Sequence, residues 1–132
     1  AVIPKWISSL VQGEKVFING DGETSRDFCF IDNVVQMNLL AGLTESPEAV
    51  NQVYNVAVGD RTTLNQLYGL IRDNLALAKP SVADAQPEYR DFRKGDVRHS
   101  LADVSKAKAR LGYGPTHTLA AGMKVAMPWY LR

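Results

Sequence analysis

Apolar residues in the first dozen positions fall at Ile3, Trp6, Ile7, Leu10 and Val11, the i, i+3, i+4, i+7, i+8 stripe of an amphipathic helix. Pro4 suits its first turn and Gly13 its C-terminal stop. The rhythm then shortens. Val16–Asn19 predicts a strand, Gly20–Asp21–Gly22 a turn in which glycine accepts positive φ without steric cost, and Asp27–Ile31 a second strand. Asp32 or Asn33 caps a helix carrying Val34, Met37 and Leu40, broken by Gly42 and Pro47. Gln52–Val58 is rich in β-formers and runs into Gly59–Asp60, so it predicts another strand.

Thr63 with Gln66 forms a capping-box pattern, followed by the stripe Leu64, Leu67, Tyr68, Ile71, Leu75. Periodicity lapses over Ala76–Pro87, which predicts the one long loop, and Glu88–Phe92 is a short strand candidate. Asp103 caps a helix with Val104, Ala107 and Leu111 on one face, ended by Gly112, Gly114 and Pro115. Thr118 opens the last helix, with Leu119, Met123, Ala126, Met127 and Tyr130 as its stripe and Pro128 bending its final turn. Helices and strands alternate, which argues for a mixed α/β architecture.

With 132 residues, 45% of them hydrophobic and 22% charged, the composition is that of one globular domain. A net charge of +1 gives no field drawing the chain to nucleic acid or an anionic membrane. No apolar run approaches the ~20 residues of a membrane span, and no signal peptide opens the chain. The single cysteine, Cys29, cannot form an internal disulfide and reads as a small buried hydrophobe, which points to the cytoplasm. The start is abrupt and lacks an initiator Met, as in a piece of something larger.

The chemistry-bearing residues do not make a self-sufficient active site. Neither His99 nor His117 has a partner at metal-ligand spacing, and Cys29 has no neighbouring base. Gly20-x-Gly22 continues to Ser25 and not directly into a helix, so the dinucleotide fingerprint fails. Tyr89 is followed four residues later by Arg93, a side chain that cannot give up its proton as a catalytic lysine could. What remains is a set of anion-binding elements: Arg26, Arg93 and Arg98 beside turn glycines or acids, with Asp96 after Gly95, where a carboxylate can accept from two vicinal hydroxyls. Phosphate plus diol describes a nucleotide, and surface ion pairs around two loops describe the same residues more plainly.

The run G-D-G-E-T-S-R-D-F-C-F-I-D-N-V, then Y-N-V-A-V-G, then R-K-G-D-V-R-H-S-L-A-D-V-S-K-A and L-G-Y-G-P, resembles the extended short-chain dehydrogenase/reductase family of NAD-dependent epimerases and dehydratases. Within it the nearest likeness is to bacterial UDP-N-acetylglucosamine 4-epimerases. The resemblance covers essentially the whole chain and implies an α/β fold, the C-terminal substrate-binding portion of such a Rossmann-type enzyme, over residues 1–132. The family's NAD site and its Ser and Tyr-x-x-x-Lys catalytic groups belong to an N-terminal portion outside this sequence. The fragment alone is therefore expected to be inactive, with no catalytic, cofactor-binding or metal-binding residue of its own.

Carried over position by position, the likeness puts Ala1, Val2 and Trp6 at a helix start near the sugar-nucleotide diphosphate. Phe17 and Asn19 match the strand that receives the uracil, Phe17 bringing no hydroxyl where close relatives can carry tyrosine. Arg26 and Arg93 match the diphosphate arginines, Asp96 the acid on the uridine ribose, and Ser100 a position lining the sugar pocket. The implied protein is an NAD-dependent UDP-N-acetylhexosamine 4-epimerase, homodimeric and cytoplasmic, without nucleic-acid or membrane partners. A nucleotide-sugar dehydratase or decarboxylase of the same superfamily, or a non-catalytic ligand-binding relative, are the alternatives.

Overall fold

The computed structural model describes residues 1–132. They group into two compact units: Ala1–Arg26, Thr62–His99 and Met123–Arg132 form the first, Asp27–Arg61 and Ser100–Gly122 the second.

In the first unit the apolar stripe read from the sequence becomes α1 (Val2–Gln12), stopped by Gly13 at φ 74° with its N–H on the Leu10 carbonyl. It packs on α3 (Leu64–Ala76), whose start is the expected capping box: Gln66 N–H donates to Thr63 Oγ1, and Thr63 N–H donates to Gln66 Oε1. Trp6, Ile7 and Leu10 of α1 and Leu67, Tyr68, Ile71 and Leu75 of α3 are each at most 4% exposed. Burying side chains of that size is worth roughly 1.5–3 kcal/mol apiece. Strand β1 (Phe17–Asn19) pairs in parallel with β4 (Glu88–Arg90), placing Ile18 opposite Tyr89. A 3-10 turn at Pro80–Val82 buries Val82 within the long loop.

The second expected strand lies elsewhere. Pairing is confined to β2 (Ser25–Arg26), antiparallel to β3 (Thr62–Thr63), and Asp27–Ile31 is not a strand. The reason is local competition: the Asp27 carboxylate accepts the N–H groups of Val58 (3.1 Å) and Gly59 (2.9 Å), which ties the backbone to a loop.

Helix α2 (Ile31–Leu43) of the second unit is capped two or three residues before the expected Asp32 or Asn33, with Phe30 at the N-cap and no side-chain cap bond. Asn33 is used differently, as described below. Met37 joins Ala107 and Leu111 of α4 (Ser105–Leu111), together with Ala49, Ala57, Val104 and Tyr113, in the unit's core. Helix α4 starts one residue later than the expected Asp103 cap requires: Val104 is its N-cap, with no side-chain cap bond, and the Asp103 carboxylate just before it accepts the Ser105 N–H at 2.9 Å. Residues 52–58 are not a strand either: no strand in the unit lies alongside to pair with them.

The last helix, α5 (Leu119–Tyr130), continues through Pro128 and buries Met123 and Met127. No helix is long and apolar enough to cross a membrane.

Candidate functional site

In the first unit the loops after β1 and β4 bring Asp21 to Arg98, and Asp96 to Arg26 of β2. Gly20 and Gly22 adopt φ of 84° and 79°, and a Cβ at either would collide, with the Phe92 ring and the Asn65 amide respectively. Only glycine lets the turn approach those side chains so closely. Between them Asp21 takes both guanidinium nitrogens of Arg98 at 2.7 Å and the Glu23 N–H at 2.9 Å. The Arg98 hydrogen bonds and the Glu23 N–H hold the Asp21 carboxyl down at about 2. Arg98 also lies over the Phe92 ring, 5.2 Å from its centre. Asn65 ties the same turn to α3 and β4, donating to Glu23 Oε1 (2.7 Å) and accepting from Tyr89 Oη (2.7 Å).

Arg26 follows on β2. Its Nη2 donates to Asp96 Oδ1 at 2.7 Å and its Nη1 to the Ser25 carbonyl at 2.8 Å. A guanidinium has five N–H donors, so three remain for a ligand. Asp96 sits in the 93–96 turn, closed by its N–H on the Arg93 carbonyl (3.1 Å) with Gly95 at φ 81°. Arg93 itself is exposed and carries no ion pair. The site thus holds one oriented arginine, one uncommitted arginine and a carboxylate with Oδ2 open, a set suited to an anion beside hydroxyls.

The buried Ser25 joins this loop a second time: its Oγ hydrogen-bonds His99 Nδ1 at 2.8 Å, and its N–H donates to the Arg98 carbonyl. These ties between residues 21–26 and 96–99 span seventy positions or more, and no local pattern announces them.

The other residues suggested by the sequence are distributed as follows. Ala1 and Val2 open α1, whose first turn has no side-chain cap, so its N–H groups are free. Trp6 lies in the core, edge-on to Tyr68 with ring centres 6.1 Å apart. Phe17 and Asn19 share one face of β1, and the Arg90 guanidinium stacks on Phe17 at 3.4 Å from the ring centre. Ser100 is exposed and belongs to the second unit, whereas the other eight belong to the first. Burial pushes the Cys29 thiol above its ordinary value, so a thiolate is not favoured there. No group of His, Cys, Asp and Glu side chains is arranged to hold a metal ion.

The glycine turn does not suit a dinucleotide. Its Gly20 N–H is taken by the Arg90 carbonyl, Phe92 and Asn65 fill the space beside its glycines, and it leads into β2 and not into a helix.

This mixture of helices and short strands is shared with part of the fold of solved nucleotide-sugar epimerases. A 37% identical UDP-glucose 4-epimerase from Thermotoga maritima superposes with a TM-score of 0.86, covering 99% of this chain and 39% of its own, and its crystal contains UDP-glucose. A UDP-N-acetylglucosamine 4-epimerase from Methanobrevibacter ruminantium, 35% identical, gives 0.85 over 99% and 39%, with UDP-N-acetylmuramic acid. By sequence, a dTDP-glucose 4,6-dehydratase of Haemophilus influenzae is 34% identical over 98% of this chain and 39% of its own length. The profile of the NAD dependent epimerase/dehydratase family matches residues 1–57. The chain is similar to members of this family, and it spans about two-fifths of the length of these relatives.

Proposed function

We propose that residues 1–132 are the C-terminal, nucleotide-sugar-binding region of a cytoplasmic, NAD-dependent UDP-N-acetylhexosamine 4-epimerase. The observation that carries this reading is the Arg26–Asp96 pair at 2.7 Å with the unpaired Arg93 on the same turn. Arg26 and Arg93 grip the diphosphate, the open oxygen of Asp96 accepts from the ribose, and the free N–H groups of α1 at Ala1 and Val2 add a positive helix end. Trp6 supports that helix from the core. Phe17 and Asn19 face the base.

Ser100 stands at the position that meets the sugar's C2 substituent, and its small side chain leaves room for an acetamido group. NAD and the groups that move protons and hydride are carried by a portion outside these residues, which alone turn over nothing. The complete enzyme is a homodimer and needs neither nucleic acid nor membrane.

The test is calorimetric titration of UDP into the complete protein and its Arg93→Ala variant. A lost charge-assisted contact of ~1.5–3 kcal/mol corresponds to about 10- to 150-fold weaker binding. NAD content should stay unchanged. Unaltered UDP affinity would remove Arg93 from the diphosphate site. The dehydratase relative supports a second reading, a dTDP-sugar dehydratase, which tighter binding of dTDP than UDP would favour.

A further inference from the structure

Ser25 is only 3% exposed, and all three of its polar groups are engaged at the site. Its N–H donates to the Arg98 carbonyl at 2.9 Å, its carbonyl accepts from Arg26 Nη1 at 2.8 Å, and its Oγ hydrogen-bonds His99 Nδ1 at 2.8 Å. Ser25 also pairs with Thr63 of β3 and bridges in parallel to His99. Strand β2 is two residues long and carries Arg26, so this one serine joins it to the segment that runs from Asp96 to His99.

The other ties between those segments are more open to water. Arg26 and Asp96 meet at 2.7 Å, with side chains 28% and 42% exposed, and Arg98 and Asp21 meet at 2.7 Å, with side chains 42% and 49% exposed. Ion pairs so placed are weak tethers. The Arg26–Asp96 pair is weaker still beside a nucleotide, because a diphosphate claims the guanidinium and a ribose claims the carboxylate. The Ser25–His99 bond differs on both counts. One of its partners is buried, where a hydrogen bond is electrostatically stronger than in water, and it uses none of the groups that face the ligand.

We infer that His99 is a positioning residue of the nucleotide site: through Ser25 it fixes the spacing at which Arg26 and Asp96 meet a diphosphate and the ribose attached to it. This role rests on the nucleotide binding proposed above. The ligand's own spacing is covalent. A site whose two halves lose their register therefore loses affinity for the ligand that bridges them, and little for either half of that ligand alone. Ser25 is buried and acts only through its neighbours.

Calorimetric titration of the complete protein with UDP tests it, with uridine and inorganic pyrophosphate read by their displacement of UDP. His99→Leu and Ser25→Ala should each weaken UDP binding about 3- to 10-fold, the size of one neutral hydrogen bond, and the double variant no further. Uridine and pyrophosphate should each change less than about 2-fold. His99→Asn, whose amide offers a polar atom in place of Nδ1, should bring UDP affinity back to within about 2-fold. Losses that add in the double variant would make His99 a direct ligand contact and overturn the positioning role. An equal loss for UDP and for one of its halves, or a lower melting temperature with UDP affinity unchanged, overturns it as well. Arg26→Ala separates the two levels. Unchanged UDP affinity there overturns the nucleotide reading and this role with it, whereas a loss there with none in His99→Leu overturns the role alone.

Discussion

Asn33 is fully buried, and its amide makes four hydrogen bonds to one loop. Its Oδ1 accepts the N–H of Thr116 at 2.8 Å, the N–H of His117 at 3.1 Å and the Thr116 hydroxyl at 3.3 Å, while its Nδ2 donates to the His117 carbonyl at 2.9 Å. Asn33→Leu keeps the volume and removes every one of these bonds. The hydroxyl can turn to His117 Nδ1, already 2.8 Å away, so the loss falls on two backbone N–H groups and one carbonyl. An orphaned group costs about 1–3 kcal/mol when it stays buried. His117 is only half-buried and Thr116 is exposed, so water re-satisfies part of the set and the low end applies. The expected loss is therefore about 2–4 kcal/mol, a large share of the stability of a small domain. Urea unfolding followed by circular dichroism would read it as a lower midpoint at unchanged slope. A loss under about 1 kcal/mol would show that the loop is held by its other contacts, among them the Phe30–His117 ring pair at 4.9 Å, and that the amide is incidental.

The Asp21 carboxyl should titrate near 2 by NMR and return toward 3.8 in Arg98→Met, because the guanidinium is the main cause of the depression. Its folded value lies below the unfolded one, so the stability it lends is present above pH 3.8 and fades as pH falls toward 2. Tyr113, buried with its hydroxyl donating to the Ala57 carbonyl at 2.6 Å, has its phenol pushed up to about 12 by burial and then by neighbouring Cys29 and Asp27. The folded state therefore keeps a proton that the unfolded chain releases near 10, so stability should fall as pH rises from 10 to 12. Tyr113→Phe should flatten that part of the pH–stability curve, and an unchanged slope would mean that another group sets it.

The local grammar of this chain was legible from its residues. The apolar stripes of α1 and α3, the Thr63–Gln66 capping box and the Gly13 stop were set by spacing alone, because a helix closes its hydrogen bonds within its own segment. The glycines at 20, 22 and 95 announced their turns for a similar reason, since positive φ is a local demand. The arginines and Asp96 could be picked out as anion-binding types. That Arg26 meets Asp96, and Asp21 takes Arg98, could not, because nothing local encodes which of several charges meet across seventy residues.

Strands fail for the same physical reason. A strand needs a partner to satisfy its backbone, so Asp27–Ile31 was lost to a carboxylate that claimed two N–H groups elsewhere. The sequence of residues 52–58 promises a strand that no neighbour in this chain completes. The burial of Trp6 and the reach of Asn33 to residues 116 and 117 were likewise decided by which surfaces the fold brought together. The sequence by itself chose the elements whose bonds close locally. Tertiary structure chose the rest, since a hydrogen bond or ion pair between distant segments exists only once the chain between them has folded.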